Sequence, residues 1–418
     1  MTDSAAAAAE TGTGTEAPAA AEPSRVAEVI CPDLQFVRDL RAAGGDAVKA
    51  CYQCATCSVT CELSPVDAPF PRKEMLWAQW GLKDRLLADP AIFLCYQCND
   101  CSTRCPRGAK PGDVMAALRA MVYQVNAFPS FMGKALNNPK AMLALFLVPF
   151  AVLFGMLFLQ HRAFEGDHGE AGFGASLSHM FGGSEVIYHH FLAHGLLEML
   201  FMAGNVFIFT LAAIGFYRYY NTLKRHSRTP VKLTFAQAVV ATVKEIVLHK
   251  RFRDCGQNKP RFVAHLLVLF GFFAAAATAG LALIYMIIWQ AQHGGAPFDG
   301  LTMMNPIKWL GLSSGLALIV GSVMMIQRRA SDPDGVGAGG FADRLFLYLI
   351  LLVAGTGMLT WLLRLTNVVP LAYPIYFIHL MVVFFLLWYM PYSKFAHMIY
   401  RALALVWAFQ TDQVKTGR

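Results

Sequence analysis

Charge is scarce in this chain: only 15% of its 418 residues are Asp, Glu, Lys or Arg, against roughly a quarter in ordinary globular proteins. The first 30 residues lack a basic stretch followed by an apolar core, so no secretory signal is expected. No internal repeat is visible, and Glu198 is the one acidic residue inside an apolar run. A transporter or channel, which would need paired intramembrane charges and inverted repeats, is therefore disfavoured. A credible nucleotide site is also missing. Gly335-x-Gly337-x-x-Gly340 has the dinucleotide spacing, but no strand precedes it and it reads as a flexible linker between apolar runs.

What is abundant is apolar surface. Apolar residues make up 56% of the chain and the mean hydropathy is +0.44, too high for a soluble protein. The net charge of +8 comes from Lys and Arg that flank apolar runs. That pattern belongs to a membrane flank and argues against nucleic acid as a partner.

Residues 1–24 are Ala, Thr, Gly, Glu and Pro and read as a disordered tail. Residues 25–125 are mixed and globular, 126–140 form a linker, and 141–400 carry the apolar runs, followed by a tail over 401–418. Six runs are long enough to cross roughly 30 Å of hydrocarbon as helices: 141–160, 186–217, 262–289, 309–327, 345–363, and one from about Pro374 past Lys394. Ten Lys and Arg lie between 224 and 261, and Arg328, Arg329 and Arg344 lie between the fourth and fifth runs. The alternate connections are poor in cations, which predicts that the N-terminal head and the C-terminus are cytoplasmic. The stretch from Thr234 to Phe252 has helical spacing and is expected on that interface.

Ten cysteines occur, eight of them in two tight groups: Cys51, Cys54, Cys57, Cys61 and Cys95, Cys98, Cys101, Cys105, the second followed by Pro106. Without an export signal such groups point to metal, not disulfides. Structural zinc calls for two CxxC pairs with a longer spacer. Four cysteines within eleven residues instead wrap one [4Fe–4S] cubane with three thiolates and send the fourth to a second cubane. The expected sets are Cys51, Cys54, Cys57 with Cys105, and Cys95, Cys98, Cys101 with Cys61. The runs are offset by 44 residues, and the segment Pro71 to Trp77 between them looks helical, so an all-α ferredoxin-type domain is expected. Cys31 and Cys255 stand alone and read as packed or interfacial thiols.

A histidine inside a membrane run is costly unless it faces the protein interior. His161, His168, His179, His226, His249 and His293 fall in loops and read as solvated. His379 and His397 lie 18 residues apart on the sixth run, on one face of a straight helix and about 27 Å apart along it. Pro391, between them, weakens that angular argument. This is the arrangement two haems b stacked across a bilayer require. His265 is the expected partner of His397. At the outer level His189, His190 and His194 are open, with His194 deepest and preferred. Glu198, Lys308 and Arg364 near the outer edge form a candidate quinone or proton site, although the two cations also suit haem propionates or snorkelling. A haem-free anchor stays open for each histidine taken singly.

The segments CYQCATCSVTCE, PRKEMLWAQWG and CYQCNDCSTRCP resemble the iron–sulfur C subunit of heterodisulfide reductases, with Glu62 where that family usually has proline. RFVAH around His265 and MPYSKFAH ending at His397 resemble the heterodisulfide reductase E subunit and, more distantly, the gamma subunit of respiratory nitrate reductase. The latter carries a second histidine ten residues into the helix, where this chain has Ala275. Fused in this order, the two parts look like the membrane subunit of the quinone-interacting oxidoreductase complex of sulfur-metabolising bacteria. The resemblance implies a menaquinone substrate, two cytoplasmic FAD and iron–sulfur flavoprotein partners, and service to adenylylsulfate reductase. The fold class expected is all-α: a two-cluster helical head followed by a six-helix cytochrome b bundle in the inner membrane. A related heterodisulfide reductase-like or sulfite-linked complex is the alternative.

Overall fold

The structure, a computed structural model, describes residues 30–165, 171–227, 229–254, 259–294, 298, 300–337 and 339–414. The expected N-terminal tail and Cys255 lie outside them. The described residues are helical almost throughout; an isolated bridge between Glu165 and Ala171 is the one β pairing among them.

The head opens with α1 (Leu34–Leu40), whose free N-terminus is capped by Asp33 accepting from the Phe36 amide at 2.8 Å. Short helices follow because the cysteine loops interrupt them: α2 (Thr56–Thr60), α3 (Arg72–Gln79), α4 (Lys83–Leu87), α5 (Ala91–Leu94) and α6 (Asp100–Thr103). The expected helix after Pro71 is α3. The long α7 (Pro111–Asn126) starts at a proline, which loses nothing there by lacking an N–H. It buries Val114, Met115, Leu118 and Val122 against the short helices. The expected linker contains α8 (Ser130–Leu136).

Among the described residues six helices are long and apolar enough to cross a membrane: Pro139–His161, His194–His226, Arg261–Gln292, Pro306–Ser331, Phe341–Leu365 and Val369–Trp388. This is a multi-pass membrane protein. Helix is the form in which such a segment satisfies its own backbone groups in hydrocarbon. In chain order the elements are α9 (Met142–His161), α10 (Phe173–Gly182), α11 (Tyr188–Phe191), α12 (His194–His226), α13 (Phe235–Leu248), α14 (Lys250–Asp254), α15 (Lys259–Gln292), α16 (Pro306–Ser331), α17 (Pro333–Val336), α18 (Phe341–Leu365), α19 (Val369–Trp388) and α20 (His397–Gln410). Small residues allow α15 and α16 to close on each other. A Cβ on Gly321 would come within 2.9 Å of the Ala264 carbonyl oxygen.

Two runs differ from expectation. The second begins at His194, because Leu192 is extended and separates α11 from α12. The sixth is not one helix. It stops at Trp388, turns through Met390–Tyr392 and Lys394–Ala396, and restarts as α20 at His397. Pro391 brings no amide hydrogen, and its ring disfavours a helical turn just before it, which goes with the break there. His379 and His397 therefore belong to separate helices, and the expected straight stack does not exist.

Within the expected tail, residues 401–410 continue α20, and those as far as 414 are described. Tyr400, Leu405, Trp407 and Phe409 of α20 join Tyr219 and Leu223 of α12 and Phe93, Leu118 and Val122 of the head in one buried core. Phe93, Tyr123, Tyr219 and Tyr400 meet with ring centroids 5.1–5.9 Å apart. Head, membrane helix ends and α20 are thus packed together.

Candidate functional site

The two cysteine loops share a backbone conformation. Gln53 and Ala55 in the first, and Gln97 and Asn99 in the second, are left-handed, with φ between 52° and 67°. Each loop folds back on itself and then enters a short helix, α2 or α6. Amides and side chains point at the sulfurs: the Gln97 N–H lies 3.4 Å from Cys95 Sγ and the Ala109 N–H 3.3 Å from Cys105 Sγ. Burial, and then the charge on Cys51, raises the Cys57 thiol to about 11. Burial raises Cys61 to about 12, and the charges acting most on it are those of Cys95 and Cys98, from the other run. Burial also pushes Cys101 up, with Cys95, Cys98 and Cys61 adding to it. The fourth cysteine of the first run thus stands beside the second run. Among the described residues no three His, Cys, Asp or Glu side chains converge on a point that could hold a single ion. Cysteines gathered from two loops, three of them raised by burial and by neighbouring thiolates, fit a positively charged metal centre that replaces their protons. Cys54 is exposed and Cys57 and Cys101 are buried; Cys31, also exposed, belongs to neither run.

The second loop opens onto a cavity of about 780 Å³. Cys95, Tyr96 and Gln97 line it on the head side, and His265 and His397 line it too. Six cations also face it: Arg119, Arg261, Arg328, Arg329, Lys394 and Arg401, against the acids Glu245 and Asp343. His397 sits at the start of α20, and its Nδ1 donates to the Lys394 carbonyl, which fixes the tautomer and leaves Nε2 available. Burial, reinforced by the Lys394 charge, depresses the His397 imidazole to about 3, so it is neutral. His265, one turn into the third span, has a buried Nδ1 without a hydrogen-bond partner. Its ring lies 5.3 Å from His249 and 5.1 Å from Phe252.

His249, expected to be solvated, is buried at 6% exposure and lines the same cavity. Its signal is in the sequence: Ala238, Thr242, Glu245 and His249 recur at helical spacing, and the first two are the buried positions of α13. His161 is also buried, holding Ser176 Oγ at 2.7 Å and the Phe191 carbonyl at 3.0 Å, a structural role. The Gly335–Gly340 segment is not a loose linker either. Gly337 (φ 80°) packs so closely on Asp113 and Asn99, in the head beside the second loop, that a Cβ would come within 2.7 Å of Asp113.

At the far side the expected groups are only partly assembled. Phe201 lies against Phe384, and Trp388 fills the space beside Gly204, so α12 and α19 run side by side with His194 level with residues 377–378. His379 is at that depth but faces elsewhere. At about 100° per residue it points roughly 140–180° away from Phe384 and Trp388. Its Nδ1 shares a hydrogen bond with Thr356 Oγ1 at 3.0 Å, and its ring lies on Gly357, both on α18. His194 instead hydrogen-bonds the Phe298 backbone and feels the Arg364 charge. His189 lies 5.9 Å from His194 and 4.5 Å from His190, ring to ring. Lys308 and Arg364 come to this side from α16 and α18, and Glu198 from α12.

Residues 47–109 match the 4Fe-4S dicluster domain family. The head is similar to the C subunit of the H(2):CoB-CoM heterodisulfide,ferredoxin reductase of Methanothermobacter thermautotrophicus, 39% identical over 88 residues, which is 21% of this chain and 47% of that protein. It is also similar to a protein of Archaeoglobus profundus named for its likeness to the heterodisulfide reductase C subunit, 32% identical over 115 residues, 27% of this chain and 56% of the relative. The match thus spans about half the length of those relatives. A longer likeness, to citrate utilization protein B of Escherichia coli, is 26% identical over 313 residues, 72% of this chain and 75% of that protein. No solved structure matches. The chain carries an iron–sulfur dicluster domain joined, among the described residues, to six helices long and apolar enough to cross a membrane.

Proposed function

We propose that this chain is the electron-transfer subunit of a quinone-linked membrane oxidoreductase, carrying electrons between the bilayer and the head. The observation that carries the reading is the shared cavity: one space is lined by Cys95 of the second cysteine loop and by His265 and His397 of the membrane part. Haem b held there, and [4Fe–4S] clusters on the two cysteine sets, would supply one-electron chemistry that side chains lack. His397 offers Nε2 with its tautomer already set, His265 stands on the same cavity, and the surrounding arginines suit two propionates. Cys95, Cys98, Cys101 and Cys61 are assigned to the cluster beside the cavity, and Cys51, Cys54, Cys57 and Cys105 to the outward one. A second haem would use His379, with His194 as its expected partner.

Quinone is assigned to the far side, where Lys308 and Arg364 gather with His194; Glu198 is a proton-carrying residue nearby. The cation-rich connections argue for a cytoplasmic head in the inner membrane, where two FAD and iron–sulfur subunits would dock. By resemblance those partners and a menaquinone pool serve adenylylsulfate reductase. The head's likeness to heterodisulfide reductase C subunits keeps a second reading open, delivery to a heterodisulfide reductase-like or sulfite-linked partner. Identification of the co-purifying subunits separates the two. The reading itself is tested by adding a menaquinol analogue to membranes and following cluster reduction by EPR. Reduction should occur in the natural chain, slow in Lys308→Ala, and stop in His397→Ala while dithionite still reduces the clusters. Unchanged reduction of the clusters by the quinol in His397→Ala would refute it.

A further inference from the structure

The two cysteine loops are near copies in sequence and backbone, but they are gripped by side chains of different charge. In the first loop, Gln79 donates from Nε2 to the carbonyls of Val48 at 3.1 Å and Cys51 at 2.9 Å, and its Oε1 accepts from Gln53 at 3.3 Å. The equivalent carbonyls of the second loop belong to Ile92, again three residues before the first cysteine, and to Cys95. There Arg119 takes the place of Gln79, with Nη1 2.9 Å from Ile92 O and 3.4 Å from Cys95 O, and Nη2 2.8 Å from Gln97 Oε1. Arg261, at the head-side end of the third span, adds a second guanidinium, donating to Tyr96 O and Gln97 O at 3.1 Å each. An amide holds one loop and two cations hold the other.

The remaining charges do not erase this difference. Near the first loop, Arg72 acts on Cys54 and Arg107 lies 4.1 Å over the Tyr52 ring, but both are exposed and screened by salt. Near the second, Arg401 stacks 3.5 Å over Tyr96. Of the acids there, Glu245 accepts from the Tyr96 hydroxyl and the Arg251 amide, and Asp100 is paired with Arg104. Asp113, beside Gly337, offsets part of the positive charge.

Adding one electron to a cubane makes it one unit more negative, so fixed positive charge beside it favours the reduced form and raises its potential. We propose that Arg119 and Arg261 make the cluster on the second loop the higher-potential one of the pair, so that an electron shared between them rests on the membrane-facing centre. The inference rests on the dicluster reading and is independent of the haem assignment.

The test is an EPR-monitored redox titration of the purified full-length chain with dithionite and mediators. The natural protein should show two midpoints, with Cys95→Ser altering the higher one. Arg119→Gln and Arg261→Gln should each shift the higher midpoint negatively and leave the lower one in place, while Arg119→Lys retains most of the original value. Gln79→Arg should raise the lower midpoint, and this variant decides the matter if Arg119→Gln does not fold. Movement of the lower midpoint in the arginine variants, or of neither midpoint in any variant, overturns the proposal. Fewer than two clusters in the natural protein would instead refute the dicluster reading.

Discussion

The head-side cavity and the far-side histidines make a useful pair, because the sequence treats them alike. On the head side, His265 and His397 face one cavity, ringed by arginines and closed by a cysteine loop. On the far side, His379 and His194 lie at nearly one depth, yet His379 leans on α18 and His194 on Phe298 and Arg364. Depth along a helix can be read from spacing, whereas the partner of a side chain depends on which neighbouring helix each face meets. The two near-side imidazoles come from separate elements, α15 and α20, and line one cavity because the sixth run breaks after Trp388.

The sharpest way to break this contrast is to remove one imidazole from each side. His397→Ala or His265→Ala should abolish most b-type absorbance in reduced-minus-oxidised spectra, while His379→Ala should leave the head-side signal in place. Equal losses from both sides would erase the distinction.

The second contrast, between the cysteine loops, predicts a smaller but still large effect. Cys61→Ser should damage the cluster of the second loop and Cys105→Ser that of the first, each by EPR spin counting. Damage to the cluster of its own run would show that the fourth cysteines do not cross.

The register of α12 against α19 fixes the far-side geometry, and Gly204 is where it can be disturbed. A Cβ there would meet Trp388 at 1.8 Å, so Gly204→Ala should cost about 1–3 kcal/mol through overpacking. A lowered Tm in detergent checks it; an unchanged Tm would undo the register.

The smallest effect separates head from membrane by pH. Glu74 is wholly buried, with Asp89 and Lys73 as its charged neighbours; Lys73 Nζ lies 2.7 Å from Asp89 and 3.4 Å from Glu74. Burial, and then the Asp89 charge, raises its carboxyl from 4.5 to about 8. A raised acid favours the fold in its protonated form. That contribution is complete below about pH 4.5 and is lost as pH rises through 8. Glu74→Gln should flatten the pH dependence of head unfolding across that window, followed by circular dichroism; an unaltered slope would count against it.

Much of this was legible in the residues. Eight thiols at fixed spacing, six uncharged runs and the helix after Pro71 are local signals, and each has its element in the structure. What escaped were tertiary facts. His249 looks like a loop residue because its burial comes from Phe252 on α14 and from Phe262 and His265 on α15, which close around its ring. The Gly335–Gly340 segment looks flexible because glycine marks freedom in sequence, while Gly337 is used for a close approach to Asp113. Pro391 lies in plain view, but a kink and a complete break leave the same mark in sequence.

The most direct measurement is the metal content and absorption spectrum of the purified chain, in the natural form and in His397→Ala. The account predicts iron with acid-labile sulfide and a b-type Soret band, the band lost in the variant and the sulfide retained. Zinc in place of iron, or a natural protein without Soret absorption, would contradict it.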